Sequence, residues 1–346
     1  MHMADALLSP AVGGTMWAAT AATIAHCSRK VRLAGDDGRV PLMGVLGAFV
    51  FTAQMINFTI PATGSSGHLG GGLLLAVLLG PHAAFLTIAS VLTIQALFFA
   101  DGGLLALGAN IFNLGFFPCF VAYPFLYRPL AGPNPSPGRI ILASLAAAVV
   151  GLQLGALAVV MQTVASGISA LPLPNFTLLM LPIHLAIGLG EGLVTAAVVN
   201  FVRQADPSLL RAEVGGRPGH PAFRRLLGAL LVAAVLVGGA LSWFASTRPD
   251  GLEWSIAGVT GHEELPVGPA QEEGVSGRLA LLQERFAFLP DYSFPAAAEP
   301  EAGAPAPEAA WPAVDAGTST AGIVGGLLTL ALAGLTGLLL CRSRRS

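Results

Sequence analysis

A chain of 346 residues that is 54% hydrophobic and only 10% charged, with a mean hydropathy of +0.73, does not fold as one soluble core, since soluble domains carry roughly 25% charged residues. A net charge of −2 argues against nucleic acid as a partner. Cys27, Cys119 and Cys341 are far apart and lie in or beside apolar runs, which excludes a disulfide framework and a thiolate metal motif and leaves them as small packing residues.

The opening Met1-His-Met-Ala-Asp5 has no basic stretch ahead of its apolar run. It is read as the mature N-terminus and not as a signal peptide. Apolar runs bounded by Pro, Gly and charge then predict nine spans, at 10–28, 41–61, 69–80, 82–100, 103–127, 139–165, 177–202, 225–245 and 321–341, judged against the ~20 residues a crossing needs. Residues 69–100 are divided at Gly80-Pro81, because proline removes a backbone donor and clashes with the preceding turn.

Basic residues support the division. With the N-terminus outside and nine spans, 14 of the 17 basic residues fall in inner loops, and only Arg248, Arg278 and Arg285 lie outside. Treating 69–100 as one crossing moves the later basic loops to the wrong side. The third span is only about 18 Å long at 1.5 Å per residue, so neighbours must cover it. Short, Gly-interrupted spans often sit beside binding sites in transporters.

The expected fold is an all-α integral membrane protein, with a seven-helix transmembrane bundle and two further transmembrane helices flanking an external segment. Residues 1–205 form the bundle, 206–224 a cytoplasmic linker, and 225–346 the second unit, whose outer segment 246–320 holds 12 of the 19 acidic residues. Within it, Leu279, Leu282, Phe286 and Leu289 recur at helix-like spacing. The Ala/Pro/Glu-rich stretch 296–312 reads as a linker.

The only lysine, Lys30, follows no Gly-rich loop, so the chain carries no P-loop for ATP. HExxH, GxSxG and CxxC are absent from the sequence. Of seven histidines, His26, His82, His220 and His262 read as solvated or interfacial. His184 lies two helical turns before Glu191, on the same face. A glutamate within a span is costly unless paired or facing water.

His2 is the distinctive position. The α-amine of Met1, the amide nitrogen of residue 2 and the His2 imidazole reach one metal ion through a five- and a six-membered ring. Topology places His68, in the Gly/Ser-rich run Thr63–Gly72, on the same outer face. Four nitrogens in a plane point to Ni(II) or Cu(II). On the residues alone, His2 at a frayed terminus by accident stays an open alternative.

The run Met1-His-Met-Ala-Asp-Ala-Leu-Leu-Ser-Pro10 resembles the "MHIxDGxLSP" opening of the CbiM/NikM family, the substrate-capture components of energy-coupling-factor cobalt and nickel importers. The resemblance continues in order through Pro61–Gly71, Leu79-Gly-Pro81, Gln95–Gly103, Leu107–Asn113 and Gly190-Glu-Gly192, and covers about residues 1–205. Arg248-Pro-Asp-Gly-Leu-Glu-Trp254 resembles the "PDGLE" motif of a small accessory protein (NikN-like), here fused. Such fusion is more typical of the nickel branch.

The resemblance implies Met1, His2 and His68 as ligands of a transported Ni(II) or Co(II). Asp5 is expected to pin the N-terminal strand, and Ser66, Asp101, Asn113, His184 and Glu191 to support the ligands. One departure is Ala6, where the family has glycine. The implied protein is no enzyme and has no resident cofactor. Its partners would be the lipid bilayer, a transmembrane scaffold component and two ATP-binding-cassette ATPases, in a bacterial or archaeal inner membrane. Two rival readings are a proton-coupled secondary metal carrier using His184 and Glu191, and a structural or sensory membrane subunit.

Overall fold

The structure is a computed structural model and describes residues 2–35, 38–210, 220–266, 268–294 and 311–343. The expected ligand Met1, residues 211–219 of the linker 206–224 and most of the stretch 296–312 lie outside the described residues.

Seven helices occupy the first unit: α1 (Pro10–Ala34), α2 (Arg39–Gln54), α3 (Gly72–Leu79), α4 (Pro81–Phe99), α5 (Leu107–Ala131), α6 (Pro137–Ser166) and α7 (Leu173–Ala205). Local chemistry marks their ends. Ser9 and Ser136 cap α1 and α6 through their side chains, Pro10 and Pro137 follow in the first turn, and Gly35 and Gly167 close both helices in the left-handed region, as such termini favour. The break at Gly80-Pro81 is real. Gly80 at φ 78° ends α3, and Pro81 opens α4.

The second unit contributes α8 (Pro221–Gly239), α9 (Gly251–Thr260), α10 (Val275–Phe286) and α11 (Ala316–Arg342). Every expected span carries a helix, but not every helix is a span by length and hydropathy. Among the described residues, six are long and apolar enough to cross a membrane: α4, α5, α6, α7, α8 and α11. The protein is a multi-pass membrane protein. Helix α2 is apolar but has 16 residues, and α3 has eight, all buried. Among the described residues one strand pair departs from the all-helical expectation, Phe58–Thr59 antiparallel to Ser66–Gly67.

Helices α8 and α11 are not a separate body. Helix α11 runs along α2 and also packs on α4 and α8. Small residues permit this, since the backbones of Gly238 and Gly322 meet with no room for a Cβ, and Gly44 lies against the Leu330 carbonyl. In lipid, close small-residue contacts supply the van der Waals packing that holds helices together. Within α5, a π-helical stretch at Phe112–Tyr127 accommodates Pro118 and Pro124.

Candidate metal centre

The N-terminal strand is clamped by the turn that follows α4. The Met3 amide donates to Asn110 Oδ1 (2.8 Å), and Asn110 Nδ2 donates to the Met3 carbonyl (3.2 Å). The Gly103 amide donates to that same carbonyl (3.0 Å). Asp5 Oδ1 accepts from the Ala106 amide (2.9 Å). Met3 and Leu8 are fully buried, so apolar burial and these bonds fix residue 2 beside the turn. Gly102 sits at φ +81°, where a Cβ would lie 3.3 Å from His2 Cβ and 2.8 Å from Asn110 Nδ2. Ala6 is half-buried in a short helical turn with φ in the ordinary range, so its methyl is accommodated.

The His2 and His68 rings stack 4.9 Å apart at 16°. His2 Nδ1 lies 2.8 Å from Asp101 Oδ1. The hydroxyl of Tyr292 donates to Asp101 Oδ2 (2.5 Å), and Tyr292 itself stacks on Phe99. Burial alone would raise the Asp101 carboxyl. The charge and hydrogen bond of His2, with the Tyr292 hydroxyl, outweigh it and hold Asp101 at about 2. His2 Nε2 is buried with no hydrogen-bond partner among the described residues.

His68 Nδ1 is 3.0 Å from the Leu69 carbonyl, a contact that needs the proton on Nδ1 and leaves Nε2 as a lone pair. Burial pushes this imidazole down to about 3, against the carboxylates of Asp250 and Asp101. A neutral imidazole with a fixed tautomer is the form that binds metal.

The backbone after His68 is tightly held. Glu191, in α7, accepts from the amides of Gly70 (2.8 Å) and Gly71 (3.2 Å). Gln54 Nε2 donates to the Gly70 carbonyl (2.8 Å), and Gln95 Nε2 donates to Gln54 Oε1 (2.9 Å). Gly71 is left-handed at φ +76° and packs on Val50. Glu191 is thus an anchor for the His68 loop. His184 does not pair with it. His184 Nδ1 lies 2.8 Å from the Met180 carbonyl, and its Nε2 is buried and unpartnered among the described residues.

Asn113 binds Gln162 (2.8 and 3.0 Å) and so ties α5 to α6. The asparagine on the terminal strand is Asn110. His26 and His82 meet each other, with ring centroids 5.5 Å apart.

The sequence reading placed residues 248–254 in the external segment without assigning them a contact. They are docked on the His68 loop. The Ser66 amide and hydroxyl donate to the carbonyls of Pro249 (2.8 Å) and Arg248 (2.8 Å). Trp254 Nε1 donates to the Thr63 carbonyl (2.9 Å). Asp250 caps α9 through Oδ1, accepting from Leu252 (2.7 Å) and Glu253 (2.9 Å), and Glu253 returns a carboxylate to the Asp250 amide (2.7 Å). This capping box turns the other oxygen, Asp250 Oδ2, to 3.9 Å from His68 Nε2. Gly251 is required because a Cβ there would press on Ile187, His184 and Ile183 at 3.0–3.1 Å. From α10, Gln283 Nε2 donates to the carbonyls of Ala96 (2.8 Å) and Gly102 (2.7 Å).

Among the described residues no three His, Cys, Asp or Glu side chains converge on one point as a ready metal site.

Residues 2–209 match the family described as the cobalt uptake substrate-specific transmembrane region, CbiM. The chain belongs to the CbiM family. Residues 224–342 match the PDGLE domain, so this CbiM-family chain carries both units in one polypeptide. A protein of Archaeoglobus fulgidus, provisionally named as a fused nickel transport protein NikMN, is 32% identical over 96% of each chain. The fused nickel transport protein NikMN of Rhodobacter capsulatus is 32% identical over 85% of this chain and 88% of its own. A crystal structure of a truncated transition-metal transporter is 34% identical, with a TM-score of 0.52, over 59% of this chain and 99% of that one. The fold is that of a metal-transport component of the CbiM type. Tyr292, Gln54 and Gln283 stand in no motif of the sequence, and Asp250 stands only within the PDGLE motif without a role at this site, because all four approach it through long-range packing.

Proposed function

We propose that this CbiM-family chain is the substrate-capture component of an ATP-driven importer for Ni(II), with Co(II) as a second substrate. The observation that carries the reading is the stacking of His2 on His68 at a buried, clamped N-terminal strand. The Met1 amine, the His2 amide nitrogen and imidazole, and His68 Nε2 supply four nitrogens in a square plane. That geometry suits Ni(II), although amine and imidazole nitrogens bind cobalt as well. The fused PDGLE unit favours nickel, as in the relatives that share it.

Closing the six-membered chelate ring uses His2 Nδ1, which faces Asp101. The imidazole therefore turns over about its Cβ–Cγ bond, presenting Nδ1 to the ion and bringing Nε2–H toward Asp101. A carboxylate behind a metal-bound imidazole orients the ring and raises its basicity. The PDGLE segment shapes the other side of the site through Ser66 and Asp250. The N-terminus faces outward and the C-terminus the cytoplasm. Hydrolysis of ATP falls to two separate ATPases coupled through a transmembrane scaffold protein in the inner membrane. The rival proton carrier is disfavoured, since Glu191 is engaged by two loop amides and not by His184.

The test is calorimetry with Ni(II) on the full chain with its native N-terminus, beside a chain extended by one residue before Met1. The extension keeps both histidines and displaces the amine. Native protein is expected to bind tightly and the extended chain to lose most of that affinity. Equal binding by the two would overturn the terminal chelate.

A further inference from the structure

The stripe of Leu279, Leu282 and Phe286 takes no part in the metal centre. It belongs to α10 (Val275–Phe286), where Val275, Leu279, Leu282 and Phe286 fall on one face at helical spacing. Leu279 packs inward against the core, while Val275, Leu282 and Phe286 are 51%, 44% and 48% exposed. Phe288, just past the helix, is exposed as well, and its ring lies 5.7 Å from that of Phe98 and 5.9 Å from that of Phe99, at the end of α4. Arg278 and Arg285 are exposed along one border of this face, and Glu284 is exposed on the opposite side of the helix. A contiguous exposed apolar face rimmed by charge marks contact with a protein or a membrane.

The position of α10 decides between the two. Gln283, on its inward side, donates to the carbonyl of Ala96, in the last turn of α4, and to that of Gly102, just beyond it. Helix α4 is long and apolar enough to cross a membrane, with 19 residues. They extend about 28 Å at 1.5 Å per residue, close to the roughly 30 Å of the hydrocarbon layer. The last turn of α4 therefore sits where acyl chains give way to headgroups. Ser276, Ala280 and Glu284 share a cleft with Asp5 and Ala6, which lead into α1. Helix α10 thus bridges the end of α4 and the start of α1, lying across one end of the bundle at headgroup depth.

We propose that α10 is an interfacial helix, with Val275, Leu282 and Phe286 set into the acyl-chain boundary of the leaflet on the N-terminal side and with Arg278 and Arg285 on lipid phosphates. Helices with aliphatic and aromatic residues on one face and arginine beside them lie in a membrane surface in this way. The apolar stems of the arginines follow the helix while their guanidinium groups stay in the headgroup layer. The membrane itself then holds the fused unit against the bundle, on the side from which Gln283 and Tyr292 reach the turn after α4. The inference goes beyond the capture reading and does not rest on it.

The full chain is reconstituted in nanodiscs of phosphatidylcholine and phosphatidylglycerol, which leave both faces open to water. Cys27, Cys119 and Cys341 are buried, so a brief reaction places a fluorophore on Leu282→Cys or, across the helix, on Glu284→Cys. Lipids with a nitroxide near the glycerol end of the acyl chain are expected to quench the label at 282 several-fold more than the label at 284. Iodide in the water is expected to do the reverse. A second measurement needs no label. Photoreactive benzoylphenylalanine replaces Phe286, and illumination is expected to give a phospholipid adduct enriched in phosphatidylglycerol over its share of the disc. Equal iodide quenching at the two positions would put the helix in water and overturn the proposal. A label at 282 shielded from both quenchers, or a photo-adduct with a second chain in place of lipid, would put protein on this face and overturn it as well. An adduct without enrichment would overturn the part given to Arg278 and Arg285. Metal affinity enters neither readout, so failure of the capture reading is seen separately.

Discussion

Tyr292, Asp101 and His2 form a line of hydrogen bonds that ends on a proposed ligand. Tyr292 comes from the PDGLE unit and the other two from the CbiM unit, so on the His2 side the fused unit acts through the Tyr292 hydroxyl. Supporting carboxylates behind a metal-bound imidazole are typically worth about 10- to 100-fold in affinity. Tyr292→Phe removes the hydroxyl and keeps the ring stacked on Phe99. It is expected to weaken Ni(II) binding about tenfold, toward the lower end of that range, with a larger loss for Asp101→Asn; calorimetry on the full chain checks both. Glu191 acts at the same scale on the other ligand. Glu191→Gln presents an amide donor to one of the two amides it now accepts from. An unsatisfied buried donor costs about 1–3 kcal/mol. The His68 loop should loosen, seen as faster hydrogen exchange at Gly70 and Gly71 with weaker metal binding. A secondary carrier built on Glu191 would instead lose proton coupling with metal affinity intact.

Helix α9 owes its position to its first turn. The capping box at Asp250 and Glu253 fixes the helix start, and the carbonyls of Arg248 and Pro249 accept from Ser66. Asp250→Ala removes two cap bonds, worth about 1 kcal/mol, and also the carboxylate beside His68. Asp250→Ser retains a cap and removes only the carboxylate, so the pair separates helix stability from any part in metal handling. Gly251→Val places a branched side chain against Ile187, His184 and Ile183 in α7. The helix should lift from the His68 loop. Cysteines at Ser65 and Arg248 would report this as a lower yield of cross-link than in the otherwise unchanged chain.

Across the whole molecule, burial of His68 makes folding sensitive to acid. Its folded value of about 3 lies below the ordinary value near 6.5. The unfolded chain therefore binds this proton more readily than the folded one between those limits. The associated stability is fully present above about pH 6.5 and is lost as the pH falls toward 3. The thermal midpoint of the metal-free chain is expected to drop on acidification through that window, with a shallower slope in His68→Gln. Metal binding should also strengthen with rising pH, because the chelate displaces protons from the amine and the amide; calorimetry in buffers of different ionisation enthalpy counts them. A slope indifferent to His68→Gln would place the acid sensitivity elsewhere.

The linear sequence was sufficient for the membrane character, the break at Gly80-Pro81 and the family, because each rests on composition, on proline's missing donor or on residues contiguous in the chain. His2 was singled out for the same reason, since the proposed terminal chelate is built from neighbouring atoms. Among the described residues six helices are long and apolar enough to cross a membrane, and the nine expected spans each carry a helix. The short α3 is buried along its whole length, as its length required, because eight residues cannot cross the hydrocarbon alone. Only the tertiary structure decided that the PDGLE motif lies on the His68 loop, that Asn110 and not Asn113 holds the terminal strand, and that Glu191 is an anchor. These contacts join residues more than a hundred positions apart. They depend on backbones that approach closely at Gly102, Gly238, Gly251 and Gly322, a property of packed shape that no local pattern of residues carries.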